Sequence, residues 1–268
     1  MIPEVLTVAS GSLVGFVLGL IGGGGSVLAV PLLVYVVGVE SPHIAIGTSA
    51  IAVALSALAN LIQHARARNV KWQCAGVFAT AGVAGAFLGS SIGKAFDGQK
   101  LLLLFGLLMI VIAVFMVSRK GNLGSPGVRL TMNSARRLLP RLTGYGLGVG
   151  MLSGFFGIGG GFLVVPGLMA ATDMPILTAV GSSLVSVTAF GFATAGNYAL
   201  SGLIDWALAG LFIGGGVAGG FFGSRVSRSL SARKDQLRLI FAGIVAAVGI
   251  YVTVRGIITI TGGDLIAH

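Results

Sequence analysis

Apolar residues in this chain come in long unbroken runs rather than on one face of a periodic pattern. The stretches 75–92, 101–117 and 206–222 contain no charged residue. About 20 apolar residues in a helix cross the hydrocarbon core of a bilayer. The runs fall into two parallel series. An opening run (4–21; 142–157) is followed by a short one (27–38; 161–172), then by three fuller helices at 43–64, 70–94 and 100–118, and at 175–198, 204–225 and 237–256. Each short run has 12 residues, roughly 18 Å as helix against a core about 30 Å thick. The pattern predicts half-helices or re-entrant arms at these two places. The polar stretch 119–141, with GNLGSPG inside it, reads as a loop.

The two series match residue by residue. GGGGSVLAVP (Gly22 to Pro31) returns 135 positions later as GIGGGFLVVP (Gly157 to Pro166). AIGTSA (Ala45 to Ala50) matches AVGSSL (Ala179 to Leu184), and GVAGAFLGS (Gly82 to Ser90) matches GVAGGFFGS (Gly216 to Ser224). The chain therefore divides into a first repeat (1–118), a cytoplasmic linker (119–141) and a second repeat (142–268). The predicted fold is an all-α polytopic membrane protein. It has two inverted repeats, each a glycine-broken opening hairpin followed by three transmembrane helices.

Charge sets the expected orientation. The chain is only 9% charged, with a net charge of +10, against about 25% charged residues in a soluble domain. Its mean hydropathy is +1.01. Lys and Arg gather in the cytoplasmic loops of membrane proteins. With the repeats inverted, 14 of the 17 Lys and Arg face the cytoplasm, leaving Lys94, Lys100 and Arg255 outside; parallel repeats would give 10 and 7. Inversion needs an odd number of passes per repeat and puts both termini outside. The opening sequence lacks the basic n-region of a cleaved signal peptide, so the expected location is the bacterial cytoplasmic (inner) membrane. The basic excess is topological: no basic-aromatic platform for nucleic acid is present.

Glycine clusters inside apolar helices are costly, roughly 0.5–1 kcal/mol per residue against alanine. Matched helix breaks in two membrane repeats point to a transport site. A helix N-terminus carries unpaired N–H groups and about half a positive charge, so short helices starting near Ser26 and Gly161 offer anion-binding ends. The candidate donors are the backbone N–H groups of Gly23, Gly24, Gly25 and Ser26 and of Gly159, Gly160 and Gly161. The competing reading is tight helix packing through small residues. Thr48, Ser49, Ser182 and Ser183, with Ser186 one turn on, could add hydroxyl donors; their alternative is back-bonding to a carbonyl one turn earlier. Asn60 and Asn197, the latter aligned with Gln63, either touch substrate or join helices. His64 aligns with Tyr198 at a helix end and reads as interfacial, as do Trp72 and Trp206. Cys74, the single cysteine, reads as a small buried hydrophobe.

All seven acids (Glu4, Glu40, Asp97, Asp173, Asp205, Asp235, Asp264) fall at predicted helix ends or loops. Carboxylates inside spans are the usual cation and proton carriers, so their placement favours an anionic substrate. No nucleotide loop, metal cluster or Ser/His dyad stands out, and neither an enzyme nor a cofactor is expected.

At the duplicated G-x-G-G-G/S-x-h-x-V-P elements (Gly22 to Pro31, Gly157 to Pro166) and the later A-x-G-T/S-S elements, the chain resembles the sulfite exporter TauE/SafE family, also called the toluenesulfonate uptake permease family. The likeness covers nearly everything outside the linker. The first copy departs at Gly23 and Ser26, where the second has Ile158 and Gly161. The resemblance implies a permease or exporter of sulfite or an organosulfonate; the residues alone imply a small anion. The expected mechanism is alternating access by one repeat rocking against the other. The rival readings are a cation-coupled carrier of a neutral solute and a non-transporting scaffold or accessory subunit. The expected partners are the anion and the lipid bilayer, with a homodimer left open.

Overall fold

A computed structural model describes residues 2–21, 23–118, 132–159, 161–229 and 234–264. The described residues form helices and short connections, with no strand among them. Helix α1 (Ile2–Ile21) leads into a continuous but irregular arm: a 3-10 helix (Gly23–Leu28), a single turn α2 (Ala29–Leu32) and a π turn (Leu33–Val37). The remaining helices of the first repeat are α3 (Pro42–Arg66), α4 (Trp72–Ala95) and α5 (Gly98–Ser118). The second repeat has α6 (Met132–Phe156), α7 (Gly161–Thr172), α8 (Ile176–Ala199), α9 (Trp206–Ser229) and α10 (Lys234–Asp264). Six of these helices contain a window long and apolar enough to cross a membrane. Their outer faces carry exposed Phe87, Leu88, Phe222 and Ile258, as lipid contact requires.

Two boundaries in the opening hairpins differ from the sequence pattern. The first arm starts at Gly23, in 3-10 geometry, because a run of glycines followed by the small Ser26 tolerates the tighter winding. The second arm is a regular α-helix over the expected span. Helix α6 begins at Met132, ten residues before the apolar run, and carries Pro140 within it; the linker residues 119–131 lie outside the described set.

Packing is reciprocal between the repeats. The opening helix α1 lies along α9, and its equivalent α6 lies along α4. Both contacts are backbone against backbone. A methyl group at Gly11, Gly15 or Gly19 would stand 2.2, 1.9 or 2.4 Å from the carbonyl oxygen of Phe212, Gly216 or Gly220. The equivalent Gly146, Gly150 and Gly154 meet Phe78, Gly82 and Ala86 at 2.6, 2.1 and 2.0 Å. Numbers rise together along each pair, so α1 runs parallel to α9 and α6 parallel to α4. Small residues permit this approach, and dispersion between close backbones replaces side-chain interdigitation.

The pairs of equivalent helices run the other way. Gly47 abuts Tyr198 while Gly191 abuts Ala50 and Ala54, so α3 and α8 are antiparallel. Gly106 faces Gly249 and Thr253 while Gly256 faces Leu103, so α5 and α10 are antiparallel too. Two glycine ladders thus tie the opening helix of each repeat to the other repeat.

Candidate functional site

The end of α6 shows how the second break is made. The Ile158 N–H donates to the carbonyl of Ser153 (3.1 Å) and the Gly157 N–H to that of Gly154 (3.2 Å). Gly157 has φ +65°. This is a Schellman closure, with glycine in the left-handed position that other residues avoid. Gly159 repeats the conformation at φ +63°, and α7 starts two residues later. In the first repeat the arm folds back onto α1 so closely that a methyl at Gly25 would stand 2.5 Å from the Leu18 nitrogen.

The fold brings the two breaks together. The 3-10 helix Gly23–Leu28 packs against α7. Ser26, Val27, Leu28 and Ile158 are all buried, and Gly25, Gly157 and Gly159 are buried with them. The second break is walled by the central helices: Gly157 lies on Ile46, and Gly159 lies on Val53 of α3 and Val187 of α8. Gly160 lies outside the described residues. Gly25, Ser26, Gly157, Ile158 and Gly159 thus lie away from the surface.

The hydroxyls singled out by sequence do not converge there. Thr48 Oγ1 accepts the Asp205 N–H (3.0 Å) at the start of α9, and Ser182 Oγ accepts the Lys71 N–H (2.9 Å) at the start of α4. Each fastens a loop of the other repeat. They stand at opposite ends of the α3–α8 pair, since Tyr198, beside Gly47, is about 24 Å along α8 from Ser182. Ser49 and Ser183 donate their only hydroxyl protons to the carbonyls of Ile46 (2.9 Å) and Val180 (2.8 Å). An oxyanion needs donors, and these two are already committed.

The amides join helices. Asn197 Nδ2 donates to Ser90 Oγ (2.7 Å) and Ser91 Oγ (2.9 Å) of α4, while its Oδ1 accepts from Lys94 Nζ at 2.8 Å. Lys94 donates further to the Asn197 carbonyl (3.0 Å) and to Ser201 Oγ (2.9 Å). Its three ammonium protons are thus matched by three acceptors, a fastening that the sequence pattern, with Lys94 at the end of the 70–94 helix, does not show. On the other side, Gln63 of α3 accepts from Ser224 of α9. Asn60 donates to the Ser56 carbonyl (3.0 Å) and sits against Gly220. Tyr198, the residue aligned with His64, is completely buried, with its Cβ against Gly47.

Two acids expected at helix ends serve there as caps. Asp97 Oδ1 accepts the Gln99 and Lys100 N–H groups (3.1 and 3.0 Å), and Asp205 Oδ1 those of Ala207 and Leu208 (both 3.0 Å). These interactions satisfy donors at the first turns of α5 and α9.

Sequence reasoning missed Ser153 and gave Ser186 only passing weight. Both are fully buried, and neither hydroxyl has a hydrogen-bond partner among the described residues. Ser153 is the residue whose carbonyl closes α6 at the break, and Ser186 precedes Val187, which touches Gly159. An unsatisfied buried hydroxyl costs about 1–3 kcal/mol, so each needs a reason. The available signal was position: Ser153 aligns with Leu18, a polar residue where the other repeat is apolar.

Comparison with known proteins agrees with this architecture. Residues 7–252 match the family described as sulfite exporter TauE/SafE. A probable membrane transporter protein of Xylella fastidiosa is 51% identical over 251 residues, covering 94% of this chain and 95% of its own. The probable membrane transporter protein YunE of Bacillus subtilis is 26% identical, over 85% of this chain and 90% of its own. Another, from Haemophilus influenzae, is 28% identical over 85% and 89%. No solved structure matches the chain significantly. With a match that runs nearly end to end, and with six helices fit to span a bilayer, the chain belongs to the sulfite exporter TauE/SafE family of integral membrane proteins.

Proposed function

We propose that this protein is a secondary transporter of a small oxyanion, moved by alternating access between inverted repeats. The observation that carries the reading is the meeting of two buried helix breaks beside hydroxyls that the protein leaves unsatisfied. The backbone N–H groups of residues 23–26 and 159–161 would supply the electropositive ends, and Ser153 and Ser186 the side-chain donors. The printed description of the family and the names of the relatives support transport, with sulfite or an organosulfonate as the first substrates to try.

Antiparallel α3/α8 and α5/α10 support inversion across the membrane. So does the placement of charge: Lys94, Lys100 and Arg255 belong to one end of the bundle, and Arg66, Arg68, Lys71 and Arg225 to the other. By the positive-inside rule the second end is cytoplasmic, which puts both termini outside the inner membrane. Because the opening helices are exchanged, the moving bodies are α1 with α9 and α6 with α4. They tilt about the α3–α8 pair and expose the breaks to one side and then the other.

The test is flux of labelled sulfite, sulfoacetate and sulfate in proteoliposomes, alongside thermal stabilisation by each. A bound substrate raises stability as RT ln(1 + [L]/Kd). Flux of an anion with matching stabilisation supports the proposal. Flux of a neutral solute alone, or stabilisation by none of the anions together with no flux, overturns it.

A further inference from the structure

Helix α6 carries two rows of glycine, and the fold uses only one. Gly146, Gly150 and Gly154 meet the backbone of α4, as described above. Gly144 and Gly148 point away from it, and a methyl on either would meet nothing within 4 Å. The equivalent positions of α1, which packs on α9 in the same way, are Ala9 and Leu13. Internal packing therefore does not require glycine there, and glycine is a poor helix former. The same comparison sets Arg141 against Leu6 and Tyr145 against Ser10. One of two equivalent helices has acquired a cation, a phenol and a glycine floor on its outer face.

These residues, with Pro140, Val149 and Leu152, line an open hollow of about 660 Å³ walled by α6 alone. Arg141 and Tyr145 are exposed. From Arg141 to Leu152 the helix advances about 16 Å, half the thickness of a hydrocarbon core of about 30 Å. Arg141 lies toward the start of α6, and the groove runs from it toward the break. The groove thus has the length of one leaflet, a charged head and an apolar tail.

We infer that it binds an anionic phospholipid, with the phosphate on Arg141 beside Tyr145 and an acyl chain over Gly144 and Gly148. A second copy of the chain fits less well. Two-fold pairing through this face would bring the two like-charged Arg141 side chains together. Anionic headgroups supply the opposite charge.

The test uses whole protein in phosphatidylcholine nanodiscs containing phosphatidylglycerol of the same chain length, released into native mass spectrometry. Wild type should retain phosphatidylglycerol over phosphatidylcholine. R141Q should lower that preference about fivefold, the scale of one basic side chain's attraction to an anionic surface. G148L should lose both lipids while its Tm in lipid-free detergent stays unchanged, because the new side chain meets open space. Equal retention by wild type, R141Q and G148L would overturn the inference. So would a wild-type dimer that G148L converts to monomer, which would make the groove a chain–chain contact. R141Q decides the matter if G148L fails to fold.

Discussion

Thr48 and Asp205 lie 157 positions apart, yet the threonine hydroxyl oxygen holds the aspartate's backbone N–H at 3.0 Å. The mirror relationship holds between Ser182 and Lys71 at 2.9 Å. Each repeat uses the first hydroxyl of its G-T/S-S element to fix the loop that launches the other repeat's packing helix. Just before it, Gly47 and Gly181 crowd the carbonyls of Leu203 and Asn69, so the loop backbone is gripped at both polar groups.

Removing either hydroxyl should therefore cost stability by the same mechanism. T48V and S182A each orphan a backbone donor, an effect of about 1–3 kcal/mol when the site stays dry. Thermal unfolding in detergent should show two similar losses. Proteolysis should rise at 203–205 for T48V and at 69–71 for S182A. A loss confined to one variant would break the equivalence of the two loops.

The glycine ladders predict a sharp contrast within one helix. G219A puts a methyl 1.9 Å from the backbone carbonyl oxygen of Ser12, whereas G210A meets nothing within 4 Å. The first should destabilise by about 1–3 kcal/mol, as overpacking does. The second should be neutral or slightly stabilising, since alanine is the better helix former. Denaturation of the two variants side by side checks this.

Lys94 and Asn197 should behave as one unit. K94M leaves the Asn197 Oδ1 acceptor without its cation, and N197L takes from the Lys94 ammonium one of its three acceptors and from the Ser90 oxygen its amide donor. Each single change should destabilise, while the double change should cost clearly less than their sum, by about 0.5–3 kcal/mol. Simple additivity in a double-mutant cycle would show that the contact is not coupled.

Ser153 and Ser186 separate substrate binding from scaffolding. A buried hydroxyl with no partner gains nothing for the fold, so S153A and S186A should leave Tm unchanged or slightly raised. Under the proposed function both should slow anion flux, by about fivefold or more if each loses a hydrogen bond to a charged ligand worth about 1.5–3 kcal/mol. A fall in Tm with flux intact would assign them to packing instead.

The duplicated glycine motifs and uninterrupted apolar runs made the helix order legible, and α7 starts and ends where the pattern put it. The partners of α1 and α6 were not legible. A glycine spacing says that something approaches closely, but it does not say which helix, and the answer here lies in the opposite repeat. The G-T/S-S element reads equally as hydroxyl donors or as back-bonding side chains, and Ser49 and Ser183 take the second course. A backbone N–H some 110 to 157 positions away satisfies Thr48 and Ser182, and no local pattern encodes such a distance. Ser153 was overlooked for the opposite reason: a lone serine beside a glycine looks like a small packing residue until its missing partner is seen.

The pairing of Gly15 with Gly216 also bears on how the chain is made. The opening helix leaves the ribosome about 200 residues before the surface it lies against. Until synthesis is nearly finished, its bare backbone seam faces lipid or an insertion factor. A truncated product ending in the linker would keep that seam uncovered, which makes it a natural target for membrane quality control. The two halves, expressed as separate polypeptides, should each be degraded alone and rescued when made together.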